Sequence, residues 1–270
     1  MTDRAPVGTL AGWTAAPFTA DGITHDVHRR GSGPGVVLIP EVPGMTPEVL
    51  GLAEHLVDAG FEVAVPSPFG EPGAPATVGA ILRVLPRLCV ASEFRAFATD
   101  ARRPFSDWLR ALAADLADRT PGPGVGVIGM CFTGGFALAA AVDGSVLAAV
   151  LSQPATPFPV GRRRAAAVPL STAELDAVTG RAARGEVCAM GLRFSEDRSV
   201  PRQRFDGLRR RLGAAFEVVE LDSSPGNPGG FSRTAHSVLT GEVREREGHP
   251  ALAARERVVA FLRERLVVAD

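Results

Sequence analysis

The chain has 270 residues, 46% of them hydrophobic, enough to bury one large core without help from disulfides or metal. Its 29 basic and 30 acidic residues leave a formal charge of −1, which argues against a general attraction to nucleic acid or to a membrane surface. All 29 are arginine, so Schiff-base chemistry on a lysine and a phosphate-binding Walker lysine are excluded.

Cys89, Cys131 and Cys188 are too few for a disulfide scaffold and lack metal-ligand spacing. The opening MTDRAPVGTLAGWTAAPF has an early acid and no continuous apolar stretch, unlike a secretory signal, and no later run is long enough to cross a bilayer. A cytoplasmic protein is the default expectation, with monomer and homodimer equally open.

In chain order, ITHDVHRR (23–30) alternates roughly in polarity and predicts an exposed strand. GVVLIP (35–40) is a β-branched run bounded by Gly and Pro, the pattern of a strand buried on both faces. Over 47–60, Val49, Leu52, Ala53 and Leu56 share a helical face, and Gly60 closes the helix. FEVAVP (61–66) predicts a strand, 66–79 a Pro/Gly-rich loop, and 105–119 a helix with Trp108, Leu112 and Leu116 at helical spacing. The cycle repeats with strand 124–129, helix 136–142 and strand 147–153. Ser171 with Glu174 forms a capping-box pattern for a helix to about residue 184. Strand 187–194, helix 201–213, strand 216–222 and helix 251–266 complete the chain. Strands alternating with helices predict an α/β fold, a mostly parallel, doubly wound sheet flanked by helices. No internal repeat or linker divides it, so residues 1–270 read as one domain, with 154–185 a candidate cap over the site.

Ligands of such a sheet bind beyond the carboxyl ends of its strands. Those positions offer Glu41, Cys131, Asp197 and His236. Gly129-Met130-Cys131-Phe132-Thr133-Gly134 follows a strand and opens a helix, the setting of a nucleophile elbow, where a helix N-terminus favours a thiolate. The competing reading is a buried structural cysteine beside packing glycines. For Cys89 and Cys188, inside helix and strand patterns, the structural reading is preferred. A nucleophile of this architecture needs an acid and then a histidine after it in the chain. His236 lies in the glycine-rich loop between the last strand and last helix, while His249 stands just before Pro250 and the terminal helix. Glu196 and Asp197 both fit as the acid by position, and Asp206 falls inside a predicted helix.

These residues resemble the dienelactone hydrolase family of α/β hydrolases through PEVPG (40–44), GMCFTGG (129–135), EDRSVP (196–201) and AHSV (235–238), in the family's order. The resemblance implies the α/β-hydrolase fold. It implies Cys131 as nucleophile, His236 as base, Asp197 as the residue orienting it, and Glu41 contacting the resting thiol and helping to form the thiolate. The amides of Val42 and Phe132 would then form the oxyanion hole, acting on an ester or lactone with no cofactor and no metal. Two positions depart from the family: Thr133 where glycine is usual, and Thr240 where dienelactone-cleaving members carry an arginine that grips the substrate carboxylate. Other arginines that could take its place are Arg83, Arg87, Arg95 and Arg162 to Arg164. A non-catalytic ligand-binding relative and an acyltransferase using the same acyl-enzyme stand as alternatives; a cysteine protease fits this order of residues less well.

Overall fold

A computed structural model describes residues 4–267. Eight strands form one sheet: β1 Thr14–Ala20, β2 Ile23–Arg30, β3 Gly35–Ile39, β4 Glu62–Ser67, β5 Val125–Met130, β6 Val146–Ser152, β7 Cys188–Phe194 and β8 Phe216–Leu221. Their spatial order is β1-β2-β4-β3-β5-β6-β7-β8. β1 and β2 run antiparallel at one edge, and from β4 to β8 all neighbours are parallel.

Strand periodicity sorts the core into two layers. Val37 and Ile39 of β3, with Val125 and Val127 of β5, face one layer; Val36, Leu38, Ile128 and Met130 face the other. The first layer is closed by α3 (Pro104–Arg119), α4 (Phe136–Ala140), α6 (Thr172–Ala183) and α7 (Arg202–Leu212). The second is closed by α1 (Pro47–Asp58) and α8 (Pro250–Leu266). α1 is capped by Thr46, whose hydroxyl accepts from Val49 N–H at 3.4 Å, and ends at Gly60, whose φ of +92° suits glycine. The capping box of Ser171 and Glu174 opens α6 as its sequence predicts.

Three elements differ from expectation. β1 is a strand the sequence conceals: it is mostly exposed and, at the sheet edge, has no buried face to impose alternation. Beyond the expected loop of 66–79, in a stretch where the sequence marks only Cys89 as helical, α2 spans Val78–Val90, with Pro86 inside it. Val78, Ile81, Leu82, Leu85 and Leu88 recur at helical spacing and form one apolar face, part of it packed on the core through Val84 and Leu88 and part of it exposed at Val78 and Leu82. The Pro/Gly run before it and Pro86 within it mask that stripe in sequence. The backbone of Cys89 belongs to α2, and its side chain lies outside the described residues. Finally, the short α5, Gly161–Ala166, falls where no element was expected, whereas α4 opens at Phe136 as its sequence predicts and ends two residues early. Among the described residues no helix is long and apolar enough to cross a membrane.

Candidate active site

The carboxyl end of β5 feeds directly into a 3-10 turn, Cys131–Thr133. Cys131 adopts φ +52°, a left-handed conformation that costs a non-glycine residue about 1–3 kcal/mol. The surroundings enforce it. A Cβ on Gly129 would lie 2.4 Å from Thr133 O, and one on Gly134 would lie 2.6 Å from Pro154 Cα, so both turns close only around bare glycines. Thr133, the departure from the family's glycine, is fully buried. Its hydroxyl accepts the Met130 N–H at 3.0 Å and lies 3.1 Å from Pro40 O and 2.9 Å from Met130 O, tying the elbow to the end of β3. Phe132, 1% exposed, packs its ring edge-on against Phe94 at 5.4 Å and Phe69 at 6.4 Å. Cys131 is the first residue of the 3-10 turn, and α4 itself begins five residues further on, at Phe136.

His236 comes from the loop after β8. Its Nδ1 meets Asp197 Oδ2 at 2.6 Å, which leaves Nε2 for Cys131. Burial works against charge on the ring, but the hydrogen bond to Asp197 and the hydrogen-bonding and charge interactions with Cys131 outweigh it, pushing His236 up to about 11. Asp197, just past β7, is itself buried. Burial opposes its ionisation, yet His236 and Ser199 hold it below the ordinary carboxylate value. Ser199 donates to Asp197 Oδ1 through both its N–H (2.9 Å) and its hydroxyl (2.6 Å). The other candidate acid, Glu196, instead pairs with Arg233 at 3.0 Å on the surface. Asp206 lies on α7, and His249 is the N-cap of α8 against Phe231.

Glu41 follows β3 and is 7% exposed. Its carboxylate faces three neutral donors. Gln153 Nε2 donates at 3.0 Å and Ser237 Oγ at 2.9 Å to one oxygen, and Thr240 Oγ1 donates to the other. Thr240 therefore occupies the arginine's place as an uncharged support of Glu41. Gln153 was not a sequence candidate. It is fully buried with φ +34°, and its Oε1 takes the Ser152 hydroxyl and, at 3.4 Å, the Val238 N–H. Two donors at Oε1 fix the amide so that Nε2 must face Glu41. A polar residue directly after a buried strand is the one signal that could have exposed it; Ser199 carried none beyond proximity to Asp197.

Glu41, Val42, Cys131, Phe132, Asp197 and His236 all line one cavity of about 680 Å³. Among the described residues, the Val42 N–H donates to no protein acceptor. From the 154–185 segment only Ala155 and Phe158 reach this cavity; α6 packs with α4 and α7 instead. Ile81 and Leu85 of α2 line it as well. Arg204, fully buried on α7, donates to the carbonyls of Pro154, of Pro157 (2.6 Å) and of Arg164 (3.1 Å), bracing the segment that carries Phe158. Thr156 Oγ1 ties the same segment to Phe132 O at 2.7 Å. Among the described residues, no group of three or more His, Cys, Asp or Glu is arranged to hold a metal ion.

The architecture has clear relatives among solved structures. A dienelactone hydrolase-like promiscuous phosphotriesterase from metagenomic libraries superposes with TM-score 0.64 at 15% identity, covering 94% of this chain and 98% of that one. A dienelactone hydrolase from Anabaena variabilis gives TM-score 0.55 at 15% identity, over 94% and 98% of the two chains. An α/β serine hydrolase without a lid, from Xanthomonas campestris, gives TM-score 0.55 at 14% identity, over 98% and 100%. At such identities the likeness speaks for the α/β-hydrolase fold alone. No curated protein sequence matches the chain. The model of the dienelactone hydrolase family, however, matches residues 23–266, nearly all of it; this chain is a hydrolase belonging to the dienelactone hydrolase family.

Proposed function

We propose that the protein hydrolyses a carboxylic ester or lactone through a thioester on Cys131. The observation that carries this is one imidazole bonded to Asp197 at 2.6 Å on one side and engaged with Cys131 on the other, at the wall of an open cavity. The Cys131 thiolate attacks the carbonyl carbon, and the amides of Val42 and Phe132 receive the oxyanion. Such preorganised donors supply on the order of 10² to 10³ in rate each. His236 gives its Nε2 proton to the departing alkoxide, leaving thioester, free alcohol and a neutral imidazole. Forming the thioester removes the thiolate, and with it part of what holds the proton on the ring. The neutral ring can then take a proton from water as that water attacks the thioester. Collapse expels the thiolate, releases the acid and restores the ion pair. Glu41 is held as an acceptor by Gln153, Ser237 and Thr240 and assists thiolate formation; Asp197 fixes the tautomer of His236.

The test is stopped-flow release of p-nitrophenol from p-nitrophenyl acetate, comparing wild type with Cys131→Ala. A burst or steady turnover that vanishes in the variant supports the acyl-enzyme. Equal release in both leaves Cys131 a packing residue, and release in neither leaves a ligand-binding relative or a pocket that rejects this ester. Added alcohols or thiols that intercept the acyl group faster than water would instead mark an acyltransferase.

A further inference from the structure

We infer that the acyl group accepted at this site is neutral and apolar, seated between Ile81 and Leu85 of α2 and Phe158. This rests on the Cys131 acyl-enzyme reading and narrows it. The apolar part of the cavity lining comes from Val42, Ile81, Leu85, Phe132, Ala155 and Phe158. An anionic acyl group would find no buried cation along it. The arginine position is Thr240, 1% exposed, with its hydroxyl committed to Glu41. Glu41 keeps a carboxylate at the cavity, and a second negative charge beside it is disfavoured by on the order of 10- to 100-fold. None of Arg83, Arg87, Arg95, Arg162, Arg163 or Arg164 lines the cavity. The cations that do are Arg198 and Arg233, on the loops of Asp197 and His236. Both are exposed, and Arg233, with 63% of its side chain in water, is already paired with Glu196. Charges so hydrated contribute little. Each methylene buried against the apolar wall, by contrast, favours binding about fourfold. The wall therefore outweighs the rim.

The discriminating pair is p-nitrophenyl hexanoate and p-nitrophenyl hydrogen adipate, which differ only by a terminal methyl against a carboxylate. kcat/KM is expected to rise about tenfold from acetate to butyrate and again towards hexanoate, with the adipate at least about tenfold below hexanoate. Leu85→Ala should flatten the chain-length series. Leu85→Arg should lower the hexanoate-to-adipate ratio by about tenfold or more. Both ratios are internal to each variant, so a partial loss of folded protein does not disturb them. An adipate ester cleaved as fast as hexanoate by wild type, or a rate that does not rise with chain length, overturns the inference while leaving the acyl-enzyme intact. If no ester in the series shows Cys131-dependent release, the acyl-enzyme reading itself fails, and the inference with it.

Discussion

Replacing Asp197 by asparagine alters the chemistry of the site while keeping its shape. Ser199 places two donors on Asp197 Oδ1, an N–H at 2.9 Å and a hydroxyl at 2.6 Å. An asparagine must present its own oxygen to that pair, which turns its NH2 towards His236 Nδ1, now 2.6 Å from Oδ2. A donor at Nδ1 forces the ring proton onto Nε2, beside Cys131, so the neutral ring can no longer take a proton from water there. Making the imidazolium would set two N–H groups head to head. The expected result is a kcat for p-nitrophenyl butyrate lower by about 10³ to 10⁴, with KM far less affected.

The same change shows in stability. His236 is raised from 6.5 to about 11, so its contribution is complete below 6.5 and is lost as pH rises through about 11. Asp197 is lowered from 3.8, so its contribution is present above that value and is lost as pH falls through the lower folded value. Urea midpoints of the wild type should therefore fall towards both extremes. Asp197→Asn should give a flatter curve, about 1.5–3 kcal/mol less stable near pH 6, the worth of one charge-assisted bond. A variant retaining kcat within about tenfold of wild type would refute the orienting role, because wrong-tautomer chemistry cannot be that mild.

Gln153→Glu sets a second carboxylate 3.0 Å from Glu41, and the two will share a proton. The folded pair then binds protons more tightly than the unfolded chain, so urea melts should show stability falling by about 1–3 kcal/mol as pH rises from about 5 to 8. The Gln153→Ala loss should instead be nearly independent of pH. Arg204→Met strands the carbonyls of Pro154, Pro157 and Arg164 and should cost about 2–4 kcal/mol in urea unfolding, with weaker preference for longer acyl chains. Gly134→Ala drives a Cβ to 2.6 Å from the Pro154 backbone; thermal melts should show a loss of about 1–3 kcal/mol, and p-nitrophenyl ester turnover should fall with the disturbed elbow.

What the sequence displayed was what one-dimensional patterns encode. β3, β5, β6 and β7 are buried on both faces, and such strands read as continuous apolar runs. α1, α3 and α6 carry caps or single apolar stripes, and their ends fall within a residue or two of expectation. β1 and α2 fail for different reasons. β1 buries too little to alternate, whereas α2 carries an apolar stripe at Val78, Ile81, Leu82, Leu85 and Leu88 that the preceding Pro/Gly run and the internal Pro86 mask. That miss matters for function, since Ile81 and Leu85 of α2 line the cavity in a stretch to which the sequence assigns no bounded element.

The site divides along the same line. Cys131, Asp197, His236 and Glu41 follow strands in a fixed order, so topology alone brings them to one end of the sheet. The groups that set their ionisation and orientation have no such order. Ser199 and Gln153 matter because a donor count at one atom decides which way an amide or carboxylate must turn, and that count exists only in three dimensions. Thr240 makes the point most sharply. Read in sequence it is an arginine's absence; in the fold it is one of three neutral donors that satisfy the buried Glu41 carboxyl without a cation. A cation there would serve both Glu41 and an anionic substrate, whereas a hydroxyl can serve only Glu41. On the proposed reading, exchanging one for the other separates support of Cys131 from recognition of the acyl group, and leaves the second task to Ile81 and Leu85 of α2.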